Sequence, residues 1–283
     1  MALPKNILFP VDFSERSRQL WPAVKRMAQK LGAPVTLLHV IDTARLAPTE
    51  LEGEQESIRN RIHEKLHRFP DAEPRVSSLT REVREGAPAE CIVQYAAGLD
   101  APLIMMATRG HTRFRQLLLG SVTAAVLHDA ACPVWTEAHT ENLTFPQDGY
   151  RSVLCAVDMG AQTTRLLKAA DEFSRQFGAS LAAVHSIPRG DARFANALSD
   201  RAHSLLVYNA REEFAACCGK AHIEPPLEIV EDGSVVEGVV SAAERQQADL
   251  LVIGRGVIQG TLGRLRSCAH DLIRRSPCPV LSI

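Results

Sequence analysis

Short apolar runs alternate along the chain with longer segments in which apolar residues recur at helical spacing. Asn6 to Val11 is a continuous apolar run rich in β-forming residues, which predicts a strand covered on both faces. Ser14 to Leu31 has helical spacing and ends before Gly32, a residue that commonly follows a helix. Val35 to Ile41 then predicts a second buried strand.

The same alternation continues to about residue 136. We predict a charged amphipathic helix at Glu50–Phe69, a third strand at Val76–Val83, a helix at Ala87–Ala97, a fourth strand at Leu103–Ala107, a helix at Ser121–Ala130 and a fifth strand that begins at Val134–Thr136. Alternating strands and helices favour an α/β fold with a parallel, doubly wound sheet and helices on both faces. A ligand of such a sheet is expected beyond the carboxyl ends of the strands, where the strand order reverses.

The chain contains this arrangement twice. Three separated segments return 146 residues later: Ile7–Phe13 as Val153–Met159, Leu31–His39 as Phe177–His185, and Ala131–Val134 as Pro277–Val280. A shared register at three places indicates a tandem duplication of a whole domain, because each copy is too long for a solenoid repeat. We place the domains at residues 1–140 and 150–283, joined by a polar linker from His139 to Gly149.

Composition narrows the class of protein. The 283 residues suit two domains, and 32 basic against 33 acidic residues give a net charge of −1, which argues against a general nucleic-acid binder. No apolar run reaches the roughly 18 residues that cross a membrane, and Met1–Lys5 leads into the first strand without the features of a signal peptide. Seven cysteines without a C-x-x-C pair fit a reducing compartment. We therefore expect a cytoplasmic protein that binds neither nucleic acid nor membrane.

Candidate chemistry lies where the first, second and fourth predicted strands end. Asp12 follows the first strand, Val40 ends the second, and the segment after the fourth contains Gly110 and then Gly120-Ser121 at the start of a helix. Backbone amides at a helix N-terminus bind anions, and glycine lets a phosphate approach the backbone closely. The alternative is a loop whose glycines only permit tight turns. Ser121 can act as the N-cap of the helix or donate to a phosphate oxygen, and in the tight-turn alternative it is only a cap.

These residues resemble the nucleotide signature of the universal stress protein family, in which Gly, two residues, Gly, nine residues and Gly precede Ser or Thr. Gly110, Gly120 and Ser121 match, whereas Ala107 stands at the first glycine. The resemblance covers both halves of the chain and implies two five-stranded parallel sheets of strand order 3-2-1-4-5. It also implies ATP or ADP in the first domain, alone or with Mg²⁺. The acidic residue after strand one would hold the ribose or adenine, and the glycine segment the phosphates. The matching residues are Pro10, Asp12, Val40, Met106, Ala107, Arg109, Gly110, Gly120, Ser121, Val122 and Thr123.

The second copy departs from this signature. Arg266 stands where Gly120 stands in the first copy, and the segment 254–256 is one residue shorter than the segment 107–110. The arginine side chain either fills the phosphate space or supplies a cation to an anion there. We expect it to block the site, because glycine is what allows the close backbone approach.

No catalytic motif accompanies the signature. The strings G-x-x-x-x-G-K-[ST], G-x-S-x-G and H-E-x-x-H are absent, and no second carboxylate is placed beside Asp12 by spacing. The resemblance implies a stress-response sensor or regulator of an unidentified protein partner, with a nucleotide-independent scaffold or a slow ATPase as alternatives. It also implies an intramolecular pseudo-dimer through the fifth strands, Val134–Thr136 and Val280–Ile283, and leaves a homodimer open. His39 and His185 recur at equivalent positions, which favours a structural role.

Overall fold

The computed structural model describes residues 3–45, 55–70, 76–108, 119–137, 149–187, 197–230, 234–255 and 264–283. Tertiary contacts divide the chain into two units, Leu3–Gly149 and Tyr150–Ile283. We call them the N-terminal unit and the C-terminal unit. Each has strands and helices in the same order along the chain.

Within the described residues, the N-terminal unit has five strands and four α-helices. The strands are β1 (Asn6–Pro10), β2 (Val35–Ile41), β3 (Leu79–Glu85), β4 (Pro102–Ala107) and β5 (Val134–Glu137). The helices are α1 (Glu15–Leu31), α2 (Gln55–Arg68), α3 (Pro88–Ala97) and α4 (Ser121–Asp129). A 3-10 turn, Thr43–Arg45, follows β2.

The described part of the C-terminal unit repeats this pattern. Its strands are β6 (Ser152–Ala156), β7 (Ser180–Ser186), β8 (Leu227–Val230), β9 (Leu250–Ile253) and β10 (Val280–Ser282). Its helices are α5 (Thr163–Phe177), α6 (Ala197–Ala221), α7 (Val235–Arg245) and α8 (Arg264–Arg275).

Both sheets have the predicted topology. The order is β3-β2-β1-β4-β5 in the N-terminal unit and β8-β7-β6-β9-β10 in the C-terminal unit, and neighbouring strands within each unit are parallel. The expectation of two five-stranded parallel sheets of order 3-2-1-4-5 is therefore confirmed. The chain leaves β1 toward β2 and later returns on its other side as β4, so the strand order reverses between β1 and β4. Doubly wound sheets bind ligands in the crevice at this point.

Helices cover the sheet because the central strands are apolar on both faces. Ile7, Leu8 and Phe9 of β1 are fully buried. In the N-terminal unit α3 packs against α4, and in the C-terminal unit α5 packs against α6. Right-handed crossovers place the first two helices of a unit on one face and the last two on the other, because the direction of winding reverses after the third strand.

The first helix of each unit ends where the sequence predicted. Gly32 follows α1 with φ 64°, and Gly178 follows α5 with φ 69°, both in the left-handed region that glycine adopts without strain. The backbone N–H of Gly32 bonds back to carbonyls of α1, and that of Gly178 to carbonyls of α5. The helix stop predicted at Gly32 is therefore confirmed.

The third strand is displaced from its predicted position. The apolar pattern predicts Val76–Val83, whereas β3 spans Leu79–Glu85. This strand pairs with β2 at the edge of the sheet, and it carries charged residues at four of its seven positions. Charges on an edge strand discourage pairing with other chains, but they also obscure the apolar pattern by which buried strands are recognised.

Candidate functional site

Asp12 lies in the β1–α1 turn, at the carboxyl end of the central strand. Its Oδ1 atom accepts three hydrogen bonds from the beginning of α1: from the Ser14 backbone N–H at 3.0 Å, the Ser14 hydroxyl at 2.6 Å and the Ser17 hydroxyl at 2.6 Å. Ser14 is the N-cap of α1, and its hydroxyl oxygen accepts from the Ser17 backbone N–H. The half-buried Asp12 carboxylate is thus oriented by the helix it precedes.

The turn itself has an unusual backbone, which β2 supports. Phe13 has φ 60°, a left-handed conformation that costs a side-chain-bearing residue roughly 1–2 kcal/mol. The Phe13 ring stacks on His39 of β2 with ring centroids 4.5 Å apart, and Nδ1 of His39 lies 2.6 Å from the carbonyl oxygen of Val11. Strained residues persist where the surroundings fix them, and they concentrate at functional sites.

The surroundings of His39 favour the neutral form of its ring. Burial lowers its pKa below the ordinary value, and this outweighs the Val11 carbonyl and the Asp12 carboxylate, which both raise the pKa, while Lys65 lowers it further. Because only a donor can bond to a carbonyl oxygen, the proton of the neutral ring is on Nδ1. His39 therefore donates to Val11 and fixes the turn that presents Asp12.

The end of β4 is joined to the beginning of α4 by backbone and side-chain hydrogen bonds. The Gly120 backbone N–H donates to the Thr108 carbonyl at 2.8 Å, and the Thr123 hydroxyl donates to the Ala107 carbonyl at 3.0 Å. The Thr108 backbone N–H in turn donates to the Glu137 carbonyl of β5 at 3.1 Å. These contacts fix the N-terminus of α4 beside the carboxyl end of β4.

Gly120, and not Ser121, is the N-cap of α4. Its backbone is extended at φ −63° and ψ 145°, and its carbonyl accepts the first helical bond, from the Ala124 backbone N–H at 2.9 Å. Of the two roles expected for Ser121, the N-cap is wrong, because Ser121 is already the first helical residue and is exposed. The contact of Ser121 with a phosphate oxygen stays a prediction. The amides of the first helical turn have no partner within the helix, and with the helix dipole they favour an anion at this end.

Most residues of the predicted site can be placed. Pro10 ends β1, and Val40 is half-buried near the end of β2. Because β1 pairs in parallel with both β2 and β4, the carboxyl ends of the three strands lie next to one another. Met106 and Thr123 are buried, and Ala107 and Val122 are half-buried. The Thr123 hydroxyl is engaged in positioning α4. Arg109 and Gly110 lie outside the described residues.

Sequence reasoning missed three hydroxyl residues. Ser14 and Ser17 orient Asp12, and their three-residue spacing at the start of a helix was the available signal. Thr108 follows directly after the apolar run of β4; it is 1% exposed, and its Oγ1 atom has no hydrogen-bond partner among the described residues. A buried hydroxyl is normally bonded, so Thr108 is a candidate contact for a ligand or water.

The described residues contain no group of three or more His, Cys, Asp or Glu side chains that could hold a metal ion. They also contain no helix that is long and apolar enough to cross a membrane. The seven cysteines are all free thiols.

The sequence model of the universal stress protein family matches the chain twice, at residues 4–136 and at residues 149–283. The chain belongs to the universal stress protein family. The two matches confirm the tandem arrangement of universal stress protein domains that the internal repeat predicts.

Individual universal stress proteins resemble the chain over one domain or over both. One from Methanocaldococcus jannaschii is 32% identical over 139 residues, which span 47% of this chain and 81% of that protein. One from Thermus aquaticus is 32% identical over 136 residues, 46% of this chain and 96% of that protein. The crystal structure of a universal stress protein from Archaeoglobus fulgidus shares the fold over both domains, with a TM-score of 0.67 and 23% identity over 99% of this chain and 96% of that chain.

The β6–α5 turn of the C-terminal unit has the same backbone conformation as the β1–α1 turn of the N-terminal unit. Met159 has φ 56°, as Phe13 has 60°, and Nδ1 of His185 lies 2.7 Å from the Val157 carbonyl oxygen. The structural role predicted for His39 and His185 is therefore confirmed.

The aspartate of the second turn is held differently. Asp158 is exposed, and its Oδ1 accepts from the Gly160 backbone N–H at 2.9 Å and from the Thr163 hydroxyl at the long distance of 3.4 Å. The first helix of this unit has no side-chain cap at Gln162. The C-terminal unit therefore lacks the close hydroxyl bonds that orient Asp12.

The segment after β9 also differs from that after β4. The Arg255 backbone N–H donates to the Ile283 carbonyl, as the Thr108 N–H donates to that of Glu137. Arg255 therefore occupies the position of buried Thr108, in agreement with the one-residue shortening read from the sequence. The helix α8 begins at Arg264, so Arg266 is its third residue, whereas the equivalent Gly120 lies before the first residue of α4. At 1.5 Å per residue, α8 extends about 4.5 Å further at its N-terminus than α4 does.

Proposed function

We propose that the N-terminal unit binds ATP or ADP at the carboxyl ends of β1, β2 and β4, and that the nucleotide controls binding to a protein partner in the stress response. The observation that carries the proposal is the position of the N-terminus of α4, which two hydrogen bonds fix at the end of β4. This end of a helix offers unpaired amides and a positive dipole to phosphate. The family signature at Gly120 and Ser121 supports the same location.

The two sides of the crevice suit different parts of a nucleotide. Phosphates belong at the α4 side, where Arg109 and Gly110 of the signature remain predicted contacts. Asp12 belongs with the ribose hydroxyls or the adenine amine, because a carboxylate accepts hydrogen bonds from these groups but repels phosphate. Half-buried Val40 offers an apolar contact to the base. The buried Thr108 hydroxyl, at the end of β4 and without a hydrogen-bond partner among the described residues, is proposed as a further donor to the phosphates.

Magnesium fits this site only as a companion of the phosphates. Mg²⁺ is commonly held by one or two carboxylates together with substrate phosphates, rather than by a cage of protein ligands. The described residues contain no cluster that could hold a metal without the nucleotide. ADP and ATP are therefore proposed to bind with or without Mg²⁺.

A nucleotide-independent scaffold is the second candidate, and Ala107 is the observation that favours it. The signature has glycine at this position, and the added methyl group stands at the end of β4. A scaffold predicts the same thermal stability with and without nucleotide, whereas a ligand at 100 times its Kd stabilises by about 2.7 kcal/mol. A slow ATPase is the third candidate and predicts release of phosphate by the protein that binds ATP.

Replacement of Gly120 by arginine tests the phosphate site. The φ of −63° at Gly120 is available to any residue, so Gly120→Arg should fold, while the added side chain fills the space in which the phosphates are proposed to bind. The substitution copies the residue that the second sequence copy has at this position, Arg266. We expect calorimetry to show loss of ATP binding by at least about 100-fold, or about 2.7 kcal/mol. Gly219→Arg, the same substitution at an exposed position of α6, is the matched control and should bind as the parent does. A folded Gly120→Arg variant with unchanged ATP affinity would contradict the proposed site.

A further inference from the structure

The helix α6 of the C-terminal unit exposes large apolar side chains. Leu205 and Tyr208 are 58% and 60% exposed, and Leu206, on another side of the helix, is 54% exposed. Buried residues of the same helix, Ala210 and Phe214 among them, face the core of the unit. Clustered exposed apolar residues of this size on one helix are typical of interaction surfaces.

Leu205 and Tyr208 belong to a single line of residues along α6. Arg201, Leu205, Tyr208 and Glu212 follow one another at intervals of four, three and four residues, and all four are exposed. This spacing places them on one face of a helix, as in the seam of a coiled coil. At 100° per residue, that face lies opposite the one that carries Ala210 and Phe214. We call these four residues the α6 stripe.

The α6 stripe is complementary to itself. It is basic at Arg201, apolar at Leu205 and Tyr208, and acidic at Glu212. If a second copy of the helix runs antiparallel, Arg201 meets Glu212 of that copy and Leu205 meets its Tyr208, and the two-fold axis repeats both contacts. In a parallel pair, Arg201 would meet Arg201 and Glu212 would meet Glu212, which is repulsive. A two-fold interface requires a surface that matches itself in this way.

We propose that two copies of the chain associate through antiparallel pairing of their α6 stripes. The surface is small, since its apolar centre consists of Leu205 and Tyr208 from each copy. Interfaces well below the standard of about 800 Å² per partner are weak and transient. The dimer therefore forms reversibly and depends on protein concentration.

Charge reversal on the full chain tests this pairing by sedimentation equilibrium over a series of concentrations. Arg201→Glu and Glu212→Arg each replace two attractive contacts by two repulsive ones, and each should raise the dimer Kd on the order of tenfold. The double variant Arg201→Glu, Glu212→Arg restores opposite charges across the axis and should restore the parent Kd. Arg211→Glu makes the same charge change about 90° away from the stripe and serves as the control.

Recovery in the double variant distinguishes pairing from damage to the fold, because it carries both substitutions. The proposal is overturned if the parent chain stays monomeric at every concentration, which would leave the stripe to a different partner. It is also overturned if the chain associates but neither single reversal changes the Kd, since the contact would then lie elsewhere.

Discussion

The β1–α1 turn of the N-terminal unit and the β6–α5 turn of the C-terminal unit share a backbone but present their aspartates differently. A left-handed residue follows the aspartate in both turns, and a histidine of the next strand lies against the carbonyl before it in both. Yet Asp12 accepts two hydroxyl bonds of 2.6 Å, whereas Asp158 accepts one of 3.4 Å. The histidine and the left-handed residue belong to the backbone of the turn that both units share. The serines orient a carboxylate, and only the N-terminal unit has them.

The helices that follow the fourth strands, α4 and α8, also differ between the two units. In the N-terminal unit α4 begins after Gly120, directly at the end of β4. In the C-terminal unit α8 begins three residues earlier relative to the matching sequence, and Arg266 lies within it. A helix N-terminus binds an anion only where its first amides reach the site. The two units therefore keep one scaffold and differ at the ends of the first and fourth strands, where a nucleotide would bind.

The largest expected difference between the units comes from their aspartates. Asp12→Ala should weaken ATP, ADP and AMP by similar factors, because the proposed contacts are to the adenosine portion that all three share. Loss of a hydrogen bond to a charged group costs roughly 1.5–3 kcal/mol, or about 10- to 150-fold in affinity. Asp158→Ala is the matched control and should leave all three affinities unchanged. If Asp12 instead bridges a metal ion, calorimetry would show a loss confined to ATP with magnesium.

A smaller difference is expected from the hydroxyls that hold the aspartates. Ser17→Ala removes a 2.6 Å bond to a half-buried carboxylate and should lower the free energy of unfolding by about 1.5 kcal/mol. Thr163→Val removes the 3.4 Å contact in the other unit while keeping the shape of the side chain, and should cost about 0.5 kcal/mol or less. Urea denaturation of both variants measures the difference. Equal losses would show that the two aspartates are held alike.

The smallest effect concerns pH. Because the pKa of folded His39 lies below its ordinary value of about 6.5, the folded state binds protons less readily than the unfolded state. Stability should therefore fall as the pH decreases from about 7 toward 5, and His39→Asn, which keeps a donor for Val11, should reduce this fall. Fluorescence is a suitable reporter, since both tryptophans, Trp21 and Trp135, are buried in the N-terminal unit. The same pH dependence in parent and variant would exclude His39 as its source.

The fold could be predicted from the sequence because its signals are strong and repeated. The apolar run at Asn6–Val11, the stop at Gly32 and the second copy 146 residues later each indicate a parallel doubly wound domain. The predicted bounds of the edge strand β3 differ from the observed ones, because the charged residues of this strand obscure its apolar pattern. Three expectations stay predictions: the pairing of the two fifth strands, the domain boundaries at residues 140 and 150, and a cytoplasmic location.

The candidate site was harder to predict than the fold. Asp12 and Gly120 could be found, because each follows or precedes a recognisable element at a position where ligands bind. Thr108 could not be found from the sequence. It is singled out by a buried hydroxyl that has no hydrogen-bond partner among the described residues, and burial and bonding depend on the folded structure. Residue preference makes Ser121 a candidate for the N-cap, but the extended backbone of Gly120 makes Gly120 the N-cap of α4.

Calorimetric titration of the full chain with ATP tests the contrast between the two units most directly. If the N-terminal unit binds nucleotide and the C-terminal unit has lost the site, the titration gives one site per chain, and Gly120→Arg removes it. Two equivalent sites per chain would contradict this account, because Arg266 and the earlier start of α8 would then support phosphate binding instead of preventing it.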